Sequence, residues 1–190
     1  MGLFGWIILG VIVLAVVAVI GMYNRLVRLR ALAKEGFSGI TVQLRRRADL
    51  VPNLVEAVKG YAAHESGVFE EVTKARAASV NGGSVAATAQ ADAQLTGVLG
   101  RLFAVAEAYP ELKANTNFLQ LQDQLANIEG ELQSSRRYYN ATVRDLNSSI
   151  QSFPAVLVAK PLGFSEEPFY QDDDPAIQSA PKVSFNPPAA

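Results

Sequence analysis

The most prominent feature of the chain is a continuous run of apolar side chains over residues 3–22. None of its twenty positions is charged, and thirteen of them are Leu, Ile, Val or Phe. A twenty-residue helix is about 30 Å long, which matches the hydrocarbon core of a bilayer. A signal peptide would need a cleavage site, and residues 21–24 offer no convincing one. A buried core helix would need more protein around it than the remaining chain provides. We therefore predict a transmembrane anchor over residues 1–23.

Beyond the anchor, apolar positions recur at helical spacing in four segments. The first continues from the anchor to about residue 50, where Pro52 predicts a break because proline removes a helical hydrogen bond. The second covers residues 53–80 and ends at a glycine pair, which is a strong stop signal. The third covers residues 85–108 and is rich in alanine in its first half.

The fourth segment, residues 111–150, has the most regular pattern. Heptad spacing over four heptads predicts a long helix that packs along its neighbours as in a coiled coil. The positions are Phe118, Leu121, Leu125, Ile128, Leu132, Ser135, Tyr139, Thr142 and Leu146. We predict an all-α fold, with the transmembrane helix followed by an elongated antiparallel bundle of about four helices over residues 24–150. Residues 151–190, rich in Pro and Asp, are expected to form a poorly ordered tail.

Charge is distributed unevenly along the chain, although the formal net charge is only −1. Residues 23–47 hold seven basic side chains and one acidic one, while residues 48–190 hold ten basic and seventeen acidic ones. Basic residues beside an anchor favour the cytoplasmic side, so the expected topology is N-terminus out with the soluble domain in the cytoplasm. The candidate lipid-headgroup contacts are Arg25, Arg28, Arg30, Arg45, Arg46 and Arg47. For the last three, a solvated helix face is an equally good interpretation.

A polar cluster interrupts the heptad pattern of the fourth segment at residues 136–140. Tyr139 falls on the apolar stripe, and Arg136, Arg137 and Asn140 flank it. These three residues are the candidate partner surface. The alternative is an internal layer in which arginine bridges carboxylates of a neighbouring helix.

The residues needed for common catalytic and metal sites are scarce. The chain has no cysteine, which excludes thiolate chemistry, and His64 is its single histidine. A zinc-peptidase motif fails because position 68 is Val68 rather than a second histidine. The acidic run at residues 172–174 is interpreted as solvated. We expect no catalytic residue, metal, cofactor or nucleic-acid partner, and we do not predict an enzyme.

Four segments have distinctive sequences: YNRLVRL at residues 23–29, VQLRRRADLVPNLVEAVKGYA at residues 42–62, RRYYN at residues 136–140, and PKVSF at residues 181–185. These segments resemble the LemA family. Of these, RRRADLVPNLVE is the most specific. The resemblance implies a bacterial single-pass membrane protein with a helical-bundle domain. It implies no activity and supplies no catalytic residues.

Together these features predict a membrane-anchored helical scaffold or adaptor that works through protein contact at the bacterial cell membrane. Two alternatives stay open: a non-catalytic regulatory subunit of an envelope enzyme such as a membrane protease, and a lipid-sensing membrane organiser. The expected partners are membrane lipids and an unidentified membrane or cytoplasmic protein. Self-association into a homo-oligomer is a further expectation.

Overall fold

A computed structural model describes residues 2–81 and 83–171 of the chain. This part of the chain is all-α and contains no strand, so the predicted fold class is confirmed. Two of the helices are long enough to run through the whole bundle or most of it. The helices are α1 (Leu3–Lys59), α2 (Ser66–Val80), α3 (Val85–Glu107), α4 (Pro110–Lys113), α5 (Thr116–Gln151) and α6 (Val156–Ala159).

Helix α1 joins the apolar run to the bundle without a break, and the break predicted near residue 50 is wrong. Its 57 residues correspond to a length of about 85 Å. Pro52 lacks the N–H that would donate to the carbonyl of Ala48 one turn earlier. Arg76 of α2 supplies the missing donor, because its Nε lies 2.8 Å from the Ala48 oxygen. A tertiary hydrogen bond therefore offsets part of the cost of proline inside this helix.

The segment predicted as one helix over residues 53–80 is divided by a tight turn. Helix α1 ends at Lys59, and α2 begins at Ser66. In the turn, the N–H groups of Tyr61 and Ala62 both donate to the Val58 carbonyl, and the Ala62 side chain is buried. The turn reverses the chain so that α2 packs back along the end of α1 and against α3.

Helix α5 runs antiparallel to α1 along most of the bundle. The two backbones come close together at Gly36, because a Cβ atom at this position would lie 3.0 Å from the Cα of Tyr139. Such a distance is tighter than most Cβ contacts in proteins, so glycine favours close packing of the two backbones at this level. A glycine that weakens α1 locally thus allows tight packing of the longest helix pair.

The core is divided into two clusters along the length of the bundle. The distal cluster joins the last two turns of α1 to α2, α3, α4 and the first part of α5. The proximal cluster, nearer the apolar run, joins Leu26, Ile40 and Leu44 of α1 to Leu132 and Leu146 of α5. Both clusters use α1 and α5, which therefore connect the two ends of the bundle.

The structure differs from the expectation of a poorly ordered tail over residues 151–171. After α6 the chain runs extended along α1 and α5, and Phe164 and Tyr170 are buried in the proximal cluster. We call residues 163–171 the strap. The folded domain thus ends beyond the predicted boundary at residue 150. The remaining part of the predicted tail, residues 172–190, lies outside the described residues.

The heptad frame of α5 makes a prediction about stability. Leu125 is buried in the distal cluster and Gln124 is exposed beside it. In a fragment that begins at Asn24, Leu125→Ala should lower the free energy of unfolding by about 2–5 kcal/mol, because it leaves a cavity. Gln124→Ala should be close to neutral. Thermal and urea unfolding followed by circular dichroism measure both values, and equal losses would contradict the burial of Leu125.

Candidate functional site

The first candidate functional element is the exposed apolar N-terminal third of α1. Its best 18-residue window has a mean hydropathy of 3.1, and none of that window is buried in the protein. It is the one helix among the described residues that is long and apolar enough to cross a membrane. Large apolar side chains on all its faces point away from the fold, and Leu14 is 73% exposed.

The arginines nearest this apolar segment have different environments. Arg25 and Arg28 are exposed within two turns of Met22. Arg30 instead binds the strap: its Nη2 donates to the Gly163 carbonyl at 2.6 Å, and its guanidinium lies 4.1 Å from the Phe164 ring centroid. Arg25 and Arg28 therefore keep the geometry expected of headgroup contacts, while Arg30 also holds the C-terminal segment.

The arginine triplet at residues 45–47 lies far along α1 from the apolar run. Because α1 is continuous, Arg45 lies roughly 35 Å along the helix from Met22. This is several times the Debye length of about 8 Å at physiological ionic strength. Arg45 and Arg46 are exposed there, whereas Arg47 is 3% exposed and points into the bundle. The structure thus assigns Arg47 to the protein interior rather than to lipid.

Arg47 belongs to a buried ionic cluster centred on Asp92 of α3, which is 1% exposed. Arg47 Nη1 donates to Asp92 Oδ1 at 2.7 Å, and the Tyr170 hydroxyl donates to Asp92 Oδ2 at 2.8 Å. Arg136 of α5 also donates to Asp92 Oδ2 through Nη2. Three donors from α1, α5 and the strap therefore meet at one carboxylate. We call Arg47, Asp92, Glu129, Arg136 and Tyr170 the ionic cluster.

Glu129 completes the charge balance of the ionic cluster. Its Oε1 lies 2.6 Å from Arg47 Nη2, so two arginines face two carboxylates. Burial raises the pKa of Glu129 above its ordinary value, and the nearby Arg47 partly opposes this shift. Burial and the neighbouring Asp92 carboxylate raise the pKa of Tyr170, so its hydroxyl stays protonated and donates at neutral pH.

The strap is held by two asparagines of α5, one at each of two levels. The Asn140 amide accepts from the Tyr170 N–H at 2.8 Å and donates to the Tyr170 carbonyl at 3.0 Å. Asn147 does the same with Glu167, at 2.9 Å in both directions. The step of seven residues from Asn140 to Asn147 in α5 and the step of three residues between Glu167 and Tyr170 in the strap each span about 10 Å. Both asparagines can therefore bind the strap in the same register.

Tyr139 adds a third contact between α5 and the strap. Its hydroxyl donates to the Pro168 carbonyl at 2.7 Å. Burial and the nearby Glu167 raise the pKa of Tyr139 to about 12, which keeps this donor protonated. The extended strap is therefore bound by side chains much as a β-strand is bound by a neighbouring strand.

The predicted partner surface is mostly used inside the protein. Arg136 binds Asp92 and stacks near the Tyr170 ring, 5.2 Å from its centroid, and Asn140 binds the strap. Only Arg137 of the three is exposed, with its Nη2 donating to Ser134 Oγ at 3.0 Å. The internal layer, which was the alternative interpretation, describes Arg136 and Asn140 correctly.

Sequence reasoning missed Asp92 and Asn147. Asp92 lies three residues before Leu95, on the stripe that α3 buries, so an acid at a core position was the available signal. Asn147 is likewise a polar residue at a buried position, directly after the buried Leu146 of α5. Neither position reveals its partner, because Arg47 and Glu167 come from distant parts of the chain.

A shallow groove lies on the outer face of α2 and α3, and we call it the α2–α3 groove. Its volume is about 440 Å³, and small side chains leave it open. The ion pair of Glu71 and Arg101, with a distance of 2.6 Å, borders it. The lining residues are Glu71, Lys74, Ala75, Ala78, Ala93, Gln94, Gly97, Val98 and Arg101. Within the described ranges, no group of three or more His, Cys, Asp or Glu side chains could hold a metal ion.

These features define a class of protein, namely a helical bundle joined without a break to an apolar N-terminal helix. The family model described as "LemA family" matches residues 36–185. The chain belongs to the LemA family, so the resemblance found in the sequence is confirmed.

Comparison with individual proteins gives relatives that are 25% or 26% identical to this chain. Magnetosome protein MamQ of Magnetospirillum gryphiswaldense is 26% identical over 176 residues, which cover 79% of this chain and 65% of the relative. Magnetosome protein MamQ 2 of Paramagnetospirillum magneticum is 26% identical over 190 residues, covering 84% of this chain and 70% of the relative. Protein LemA of Metamycoplasma hominis is 25% identical over 153 residues, covering 80% of this chain and 70% of the relative.

These comparisons support a membrane-associated protein. The names of the family and of these relatives do not designate an enzyme. The chain spans just under two thirds of the length of the Magnetospirillum gryphiswaldense relative.

The ionic cluster generates a second prediction about stability. Asp92→Asn removes the charge that compensates Arg47 and Arg136 in the interior, and breaking a buried ion pair in this way costs about 3–5 kcal/mol. Unfolding of the fragment that begins at Asn24 measures the loss. The control is Asp123→Asn, the same change at an exposed position of α5, which should stay within about 0.5 kcal/mol of the parent. A neutral Asp92→Asn would show that the cluster does not stabilise the fold.

Proposed function

We propose that this protein is a membrane-anchored helical scaffold that holds a partner protein at a defined distance from the bilayer. The observation that carries the proposal is the continuity of α1 from the apolar run to Lys59. A linker between anchor and domain would leave the bundle free to rotate and tilt, whereas an unbroken helix couples the position of the bundle to the anchor.

Contacts along α1 support the rigidity that a scaffold needs. Arg76 donates to the Ala48 carbonyl that Pro52 leaves without a helical donor. Asp92 of α3 accepts from Arg47 of α1, and it also accepts from side chains of α5 and the strap. The strap in turn binds α1 again through Arg30. The membrane-proximal half of the bundle thus has three elements that are connected to each other by polar contacts as well as by the core.

The use of the polar side chains favours a scaffold over catalysis. The carboxylate and guanidinium groups of the ionic cluster bind one another, and the asparagines of α5 bind the strap. Catalysis would need such groups to face a cavity that holds a substrate. We therefore propose that the domain is not an enzyme and acts by protein contact.

The α2–α3 groove is the proposed contact surface. Ala78, Ala93 and Gly97 are small and exposed, so apolar side chains from a partner helix can enter between α2 and α3. Lys74 and the Glu71–Arg101 pair surround this apolar floor with charge that fixes orientation. The proposed occupant is a membrane protein or a cytoplasmic protein, rather than a nucleic acid.

Photo-crosslinking in living cells tests this function. A photoreactive amino acid at Ala93, in the groove, should give a discrete crosslinked protein, whereas the same residue at the exposed Ala141 of α5 should give little. Gly97→Trp should abolish the Ala93 crosslink, because the indole ring would occupy the groove and a Cβ atom at residue 97 has no atom within 4 Å. Gly130→Trp, at another open glycine, should leave it intact. Identical products from Ala93 and Ala141, or none from either, would refute the proposed surface.

We further propose that the N-terminus is outside and the bundle is in the cytoplasm, because Arg25 and Arg28 follow the apolar run directly. A reporter that is active only in the cytoplasm should work when fused after Ala190. A reporter that requires export should be inactive at the same position. The reverse pattern would contradict the orientation and leave the anchor unaffected.

A further inference from the structure

Beyond the N-terminal run, the described residue with the most exposed large apolar side chain lies in the turn before α6, and further exposed apolar side chains lie in and just after α6. Phe153 is 81% exposed and Leu157 is 66% exposed, and Val156 and Leu162 are exposed beside them. Four large apolar side chains within ten residues of chain form a patch that is costly to leave in water. We call Phe153, Val156, Leu157 and Leu162 the apolar tip.

The packing of α5 on α1 places the apolar tip at the end of the membrane-spanning run. Ser152, Phe153, Pro154 and Ala155 line one small pocket together with Met22 and other residues of the same turn of α1. Met22 is the last residue of the apolar run. The Tyr23 ring also contacts the Phe164 ring, with 5.6 Å between centroids. Phe153 is therefore level with the boundary between the apolar run and the charged part of α1.

The charges around the apolar tip match those of a lipid surface. Arg25 lines the same pocket as Phe153, and Lys160 is exposed between Leu157 and Leu162. Basic side chains attract anionic headgroups, while aromatic and aliphatic side chains enter the boundary between headgroups and acyl chains. A patch with this composition, continuous with a membrane-spanning helix, fits the bilayer into which that helix passes.

We infer that the apolar tip is a second membrane contact, which inserts into the interfacial layer of the same bilayer that α1 spans. A second contact at the same level opposes tilting of the bundle relative to the bilayer. The ionic cluster and the strap connect the tip to the rest of the domain. This inference rests on the membrane anchor of the proposed function, and it assigns the lipid contact of the domain to residues outside α1.

Site-directed spin labelling of the full chain tests the inference, since the chain has no cysteine to remove. Single cysteines replace Phe153 or Leu157, and the labelled protein is reconstituted in vesicles of phosphatidylethanolamine and phosphatidylglycerol. Power saturation then compares access of the label to oxygen, which concentrates in lipid, with access to a water-soluble nickel chelate. Val17→Cys reports the anchor. Leu119→Cys is the matched control, an exposed apolar residue near the start of α5, at the opposite end of that helix.

The ratio of oxygen to nickel access at residues 153 and 157 should be several-fold higher than at residue 119, and closer to that at residue 17. Lipid-like values at residue 17 with water-like values at residues 153 and 157 would overturn the inference and leave the anchor standing. Water-like values at residue 17 would overturn the anchor and the inference together. Circular dichroism of each labelled protein confirms that the helices are retained, which the exposure of all four positions leads us to expect.

Discussion

The architecture of this domain depends on one buried carboxylate. Asp92 is removed from water and is stable as an anion only if donors surround it. Those donors come from Arg47 of α1, Arg136 of α5 and Tyr170 of the strap, so the need to compensate one charge specifies how four parts of the chain assemble. A purely apolar layer at this level would allow helices to slide, whereas fixed donor and acceptor positions determine their register.

A second constraint is the continuity of α1. Both core clusters include residues of α1, and the apolar run is the N-terminal third of the same helix. No break in α1 therefore separates the apolar run from either cluster. Pro52 would be the natural hinge, and the hydrogen bond from Arg76 to the Ala48 carbonyl counteracts the loss of one helical bond there.

The strap links these constraints to the end of the bundle nearest the apolar run. It begins beside the apolar tip, passes over Arg30, and ends with the Tyr170 hydroxyl on Asp92. The charge cluster in the middle of the bundle and the apolar turn at its end are thus connected by one short extended segment. In this member of the LemA family, the strap and the continuous helix α1 therefore connect the ionic cluster to the end of the bundle nearest the apolar run.

The sequence alone determined the elements whose signal is local. The uncharged run at residues 3–22 and the heptad spacing around Leu125 and Leu132 predict helices that the structure contains, because helical burial depends on neighbours in the chain. Only the tertiary structure decided that Pro52 is tolerated inside α1, that Arg47 is buried, and that residues 152–171 pack against the bundle. Each of these depends on a partner far away in the sequence, such as Arg76 for Ala48, Asp92 for Arg47 and Asn140 for Tyr170. Periodicity carries no information about such pairs, since it describes which face of a helix is buried and not what lies opposite.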